Sequence, residues 1–104
     1  MRALTEDQVS TLSNTLVKDL AKAIGTGEDN FTFELVATKF FYQAQKVAGY
    51  PFIEVLWFPR SQEIQNACAK IITEKVKALA PAEDVAVIFM ALPQTAYYEN
   101  GDHF

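Results

Sequence analysis

Arg60 is the residue of this chain best suited to holding an anion. It directly follows an apolar run, Tyr50–Phe58, and its planar guanidinium can pair bidentately with a carboxylate. The same position also suits a turn residue paired with Glu63 or with a neighbour's acid. Glu34 and Glu54 each lie within apolar, alternating stretches. A carboxyl flanked by Phe52 and Leu56 would have a raised pKa and could exchange protons. Paired with Lys39 or Arg60 across a subunit boundary, it would be a structural ion pair instead. His103 is the only histidine, with an ordinary pKa that suits a proton shuttle. Its place near a chain end equally suits a surface or interface. Tyr97 and Tyr98 are consecutive in an extended segment, so one can line a cleft while the other meets a partner.

The remaining candidates are structural. Trp57 and Phe104 suit a core or a subunit contact, and Glu54 and Tyr98 join them as interface candidates. Cys68 falls on the apolar side of a helix and reads as an inert buried thiol. No metal-ligand spacing surrounds His103, so no metal site is expected. A Ser-His-Asp arrangement, a phosphate-cradling glycine loop and a dinucleotide fingerprint are all lacking, and no cofactor is expected.

The bulk composition narrows the partners. The 104 residues carry a net charge of −4, and the nine basic residues form no stripe that could neutralise phosphates, so nucleic acid is disfavoured. No run approaches membrane-spanning length and no secretory signal leads the chain, which points to a cytoplasmic protein. A single cysteine forbids an internal disulfide. Half the residues are hydrophobic, rich for one small domain spanning residues 1–104, and this suggests apolar surface shared between subunits.

The elements that must position these residues follow from period and punctuation. Val9, Leu12, Leu16, Leu20 and Ile24 recur at helical spacing, behind a capping box at Thr5 and Gln8 and ahead of Gly25. Phe31–Tyr42 reads as a strand, with Phe31, Phe33 and Leu35 alternating against Thr32, Glu34 and Val36. Gln43–Gly49 reads as a connector. Pro51–Phe58 is a strand apolar on both faces, as expected of one covered on both sides. Ser61 caps a second helix running to about Ala80, and Glu83–Leu92 is a further strand. Asn100-Gly101 between aromatic residues signals a tight hairpin.

These elements repeat. Thr5 and Ser61 both cap a helix, and Phe31 and Val85 both begin a strand after it, at an offset of about 55 residues. The second strand–helix–strand unit has some eight residues in its leading strand and the first has only Met1–Leu4. By the chain's own symmetry, the first strand is short.

Two such units closed by an aromatic hairpin resemble the tautomerase superfamily, which includes macrophage migration inhibitory factor and the carboxymethyl-hydroxymuconate isomerases. The phrases FTFELVAT, YPFIEVLWFPR and TAYYENGDHF are similar to an uncharacterised bacterial family with that fold. The resemblance implies an α+β fold: a four-stranded mixed sheet, two helices on one face, a C-terminal β-hairpin, and a homotrimer built on the other face. It also implies keto–enol isomerisation of a small carboxylate by an amino-terminal proline, a base whose amine pKa lies near neutrality. Position 2 here is Arg, and RAL resembles the tail of a first strand that in the family starts Met-Pro several residues earlier. Arg60, Glu34, Tyr97 and His103 are the substrate-binding candidates. The loop Gly25–Asp29 carries two acids where active relatives carry a base, and Val85–Met90 is wholly apolar where the migration-factor group presents Tyr and Asn. A non-catalytic trimer that binds a small ligand or acts as a scaffold is the alternative.

Overall fold

The computed structural model describes residues 1–104. Helix α1 spans Glu6–Ile24. Thr5 Oγ1 accepts from the Gln8 N–H at 3.2 Å, and the Gln8 side chain accepts from the Thr5 N–H at 2.8 Å, so two end donors are satisfied reciprocally. Gly25 terminates the helix at φ 81°, a left-handed conformation open to glycine without a Cβ penalty, and its N–H reaches the Ala21 carbonyl. Helix α2 spans Gln62–Leu79, with Ser61 accepting from the Ile64 N–H. The helices pack side by side, tied at the surface by Lys75 and Asp19 at 3.2 Å.

Two short strands, β1 (Phe40–Tyr42) and β2 (Gln45–Val47), form an antiparallel hairpin. Strand β3 (Phe52–Trp57) then runs parallel to β4 (Ala86–Ala91), in register from Phe52 opposite Ala86 to Trp57 opposite Ala91. Parallel neighbours need a long crossover, and α2 supplies it. The chain ends in a hairpin, β5 (Tyr98–Glu99) and β6 (Asp102–His103). Asn100 and Gly101 both have positive φ, 56° and 91°, as a type I′ turn requires.

One expectation is corrected. The strand expected over Phe31–Tyr42 is a strand only at Phe40–Tyr42, and part of the expected connector, Gln45–Val47, is its partner. Residues 31–39 run without a ladder. Alternation predicts an extended backbone correctly, but a ladder also needs a neighbour along its length. Here the neighbour is a single residue: the Met1 amine donates to the Glu34 carbonyl at 2.8 Å, and the Val36 N–H to the Met1 carbonyl at 2.8 Å. Arg2 then pairs antiparallel with Phe52, exchanging both backbone bonds at 2.9 and 3.2 Å. The order across the sheet is therefore Phe31–Val36, Met1–Arg2, β3, β4. Each half contributes a parallel pair, and the halves meet antiparallel, which is the arrangement a pseudo-twofold axis demands. This is the α+β, tautomerase-like plan that the sequence pointed to, with its four sheet positions joined in part by single rungs.

The core lies between the sheet and the helices: Leu12, Leu16 and Leu20 from α1, Cys68, Ile72 and Val76 from α2, and Ile53 and Trp57 from β3. Val87 and Phe89 of β4 pack against it. Trp57, an interface candidate from sequence, is thus inside the protomer, on the helix-facing side of its strand. The other sheet face is open, and Glu54, Leu56, Ile88 and Met90 are exposed on it. No helix is long and apolar enough to cross a membrane.

Candidate functional site

A cleft of about 920 Å³ runs along β3 between that strand and the segment Phe31–Glu34. Its floor is apolar, including Leu16, Leu20 and Ile72 from the helices. Arg60, Glu34, Tyr97, Glu54, Trp57 and Phe104 all line it, so most of the residues singled out from sequence converge there.

Arg60 is the only basic side chain in the lining, against four acidic ones, Asp29, Glu34, Glu54 and Glu99. It is positioned by the break after β3, where Pro59 ends the strand and Ser61 starts α2. Its Nη1 donates to the Phe58 carbonyl, which anchors the guanidinium and leaves other N–H groups of the fork for an anion. Neither Glu63 nor any other acid pairs with it. Beside it stands an aromatic group: the Phe58 and Tyr97 rings meet edge-on at 5.3 Å, and Phe104 lies 5.0 Å from Tyr97 and 5.7 Å from Phe58. The backbone bond from the Phe104 N–H to the Tyr97 carbonyl holds the terminal hairpin in this position.

The opposite end of the cleft is formed by Met1. Glu54 pairs there with Arg2 at 3.1 Å, within the chain rather than with Lys39 or Arg60, and Arg2 also lies over the Phe52 ring. The Met1 amine is held below its ordinary pKa, chiefly by burial and then by the Arg2 charge, with Glu34 and Glu54 opposing. Met1 sits opposite Ile53, four strand residues from Trp57, which is about 13 Å at ~3.3 Å per residue. That amine and Arg60 thus belong to different ends of the cleft lining.

His103 and Tyr98 do not join the cleft lining. Their rings stack edge-on at 5.8 Å on the exposed hairpin, and His103 Nδ1 contacts the carbonyl of its own neighbour, Phe104. Tyr97 turns to the cleft and Tyr98 away from it, as consecutive extended residues must. Sequence reasoning missed Gln94 and Glu99, which reach the cleft through the turn at Gln94–Ala96 and the following hairpin. Only a knowledge of where the chain end folds back could have found them. It also missed the Trp57 indole: the residue is 8 % exposed, lines the cleft, and its buried Nε1 has no hydrogen-bond partner.

The family model described as Domain of unknown function (DUF1904) matches residues 1–103. The chain belongs to this family. A crystal structure of a DUF1904 domain from Sebaldella termitidis superposes with a TM-score of 0.92 at 35 % identity, covering 99 % of this chain and 94 % of that one. A protein of unknown function from Vibrio cholerae superposes at 0.86 with 39 % identity, covering 99 % and 83 %. More distantly, a fused 4-OT wild type asymmetric trimer superposes at 0.76 with 15 % identity, covering 96 % and 87 %. That last likeness concerns the fold alone, and it is the tautomerase-like fold expected from the resemblance. No curated protein matches the chain. The DUF1904 chain thus joins a tautomerase-like scaffold to a cleft with one cation and an aromatic wall at one end.

Proposed function

We propose that the Arg60 end of the cleft binds a small carboxylate-bearing keto or enol acid, and that the DUF1904 chain works as a tautomerase-type isomerase on it. One observation carries this reading: the cleft's only basic side chain stands against an aromatic cluster, at the end of a strand whose other residues wall an apolar floor. A guanidinium fork would hold the carboxylate, and Phe58, Tyr97 and Phe104 would cover the rest of a compact, planar substrate. Proton transfer next to the carbonyl then needs a base of near-neutral pKa within hydrogen-bond reach. An amino-terminal secondary amine delivered to the Arg60 end would meet that need.

Self-association, with a homotrimer as the expected form, belongs to the same reading. Leu56, Ile88 and Met90 form an exposed apolar face opposite the helices, and a distant structural neighbour is described as a trimer. A cytoplasmic site of action fits the same picture. Intact-mass analysis of the natively expressed protein, with an assay on a phenylenolpyruvate-type substrate, tests the enzyme. The expected result is a mature chain beginning with Pro that ketonises the substrate above background and loses this with Arg60→Ala. A mature chain beginning at Met1 or Arg2, without turnover, rejects it.

A second reading, a trimeric binding protein without catalysis, is favoured by strand β4. Its residues Ala86–Ala91 are wholly apolar and present no proton-transfer group. Saturable binding of a small acid without proton exchange would support that reading.

A further inference from the structure

The two ends of the cleft differ in how their charges are matched. The Met1 amine donates to the Glu34 carbonyl, the Met1 carbonyl accepts from the Val36 N–H, and Arg2 pairs antiparallel with Phe52. Phe31–Val36 therefore lies antiparallel to β3, and the direction from Glu34 to Phe31 on one wall is the direction from Glu54 to Trp57 on the other. At the Met1 end, Glu54 is paired with Arg2, and the amine lies within reach of the Glu34 and Glu54 charges. The Arg60 end holds two other acids of the lining. Asp29 lies in the turn just ahead of Phe31, and Glu99 shares the strand parity of Tyr97 in the terminal hairpin. Neither carboxylate has an ionic partner, and neither has Arg60. Glu99 also stands directly opposite Asp102 in the β5–β6 pair, a like-charge contact that costs stability.

We propose that the acid bound at Arg60 carries an ammonium group at its far end, that Asp29 and Glu99 select for that group, and that the Trp57 indole N–H holds the oxygen beside the carboxylate. This deepens the small-acid reading above and rests on it. The ligand's carboxylate neutralises the one guanidinium, which leaves Asp29 and Glu99 uncompensated at the same end of the cleft. An ammonium supplies the missing charge. A second carboxylate would instead meet two like charges over an apolar floor, where solvent screens them less than in open water.

The indole is an observation independent of those charges. Trp57 is 8 % exposed, lines the cleft at the end of β3 nearest Arg60, and its buried Nε1–H has no acceptor. A buried donor without a partner is costly, and a keto or enol oxygen next to the carboxylate provides one. Recognition is then three-point: guanidinium to carboxylate, indole N–H to the adjacent oxygen, and two carboxylates to a distal ammonium, with Phe58, Tyr97 and Phe104 along the apolar middle. The repulsive element matters as much as the attractive one, because it rejects diacids that Arg60 alone would accept.

Calorimetry at neutral pH and low salt tests this with three keto acids of one shape: phenylpyruvate, its 4-aminomethyl derivative and its 4-carboxy derivative. The aminomethyl acid should bind about fivefold tighter than phenylpyruvate and the carboxy acid about fivefold weaker, with the spread shrinking at high salt. Asp29→Asn combined with Glu99→Gln should bring the three affinities together; both side chains are exposed, and circular dichroism checks that the fold persists. Trp57→Phe keeps a ring and removes the N–H, so it should weaken phenylpyruvate about fivefold more than 3-phenylpropionate, which lacks the keto oxygen. Arg60-dependent binding in which the carboxy acid matches or exceeds the aminomethyl acid overturns the selection and leaves the acid site standing. An order unchanged in the Asp29 and Glu99 double variant removes those two residues from it, and equal losses for both acids in Trp57→Phe remove the indole. Binding of none of the three acids, or binding untouched by Arg60→Ala, rejects the acid site and the selection with it.

Discussion

The open sheet face makes a quantitative demand. Met90 lies on that face, on β4, opposite Leu56 in the β3–β4 register, and is 47 % exposed in the protomer. It is outside the cleft lining, so its truncation leaves the candidate site alone. Burying a Met side chain is worth roughly 1.5–3 kcal/mol in full, and the half that remains exposed is worth about 0.7–1.4 kcal/mol when a neighbour covers it. In a trimer three copies lose this together, so Met90→Ala should weaken assembly by about 2–4 kcal/mol, or ~30- to 1000-fold in the association constant. Sedimentation equilibrium across micromolar concentrations measures it, with circular dichroism to show that the protomer fold persists. Ile53→Ala, on the opposite side of β3 and 2 % exposed, is the contrast: it should cost about 2–5 kcal/mol of folding stability through a core cavity. The reasoning fails if the parent chain is a folded monomer at every concentration. It also fails if Met90→Ala assembles as tightly as the parent.

Three further outcomes follow from particular contacts. Arg60→Ala should weaken a small 2-keto acid by roughly 10- to 100-fold in calorimetry, the worth of a charge-assisted hydrogen bond of about 1.5–3 kcal/mol, and Arg60→Lys should recover only part, since an ammonium cannot form the fork. Burial in the core raises the Cys68 pKa, with the Arg60 charge opposing; the folded state then holds the thiol proton more tightly than the unfolded state, so this contribution is complete below the unfolded pKa and is lost as pH rises through the folded one. Melting temperature should fall faster above about pH 9 in the parent than in Cys68→Ala, and parallel curves would deny the burial effect. Thr5→Ala removes one half of the capping box and should cost about 1 kcal/mol in urea unfolding, with Gln8→Ala adding less than its own single effect because the two share one motif.

What the sequence reveals here depends on whether a signal is local. Both helices are legible to within a residue, because caps, punctuation and a 3.6-residue period all lie inside the segment. The Asn100-Gly101 turn is legible for the same reason. The segment Phe31–Lys39 is not, because its alternation predicts an extended backbone while ladder formation depends on what stands beside it. The β1–β2 hairpin escaped because Gln43 and Ala44 turn it with positive φ, 50° and 62°, in residues that give no turn signal. Among candidate site residues, strand-end position brings Arg60 to the cleft lining, while strand parity says only that Tyr97 and Tyr98 face opposite ways. His103 is two residues past the hairpin turn and shares the hairpin with Tyr97. Only the way the chain end folds onto Phe58 separates the two.

The two unsatisfied surfaces of this fold have different physical demands, and that separates assembly from chemistry. The open sheet face offers apolar side chains from β3 and β4, and any flat apolar surface of matching shape can cover it. A second copy would present the same apolar residues of β3 and β4, and Glu54 beside them is already held by Arg2. The cleft instead offers an apolar floor, four carboxylates in its lining, and a cation only at its far end. If the corner bounded by Arg60, Phe58 and Tyr97 holds the small acid proposed above, assembly and binding should separate by mutation: Met90→Ala should weaken self-association and leave the calorimetric affinity for a small 2-keto acid in place, and Arg60→Ala should do the reverse. Loss of small-acid binding in Met90→Ala would mean that the two surfaces form one site.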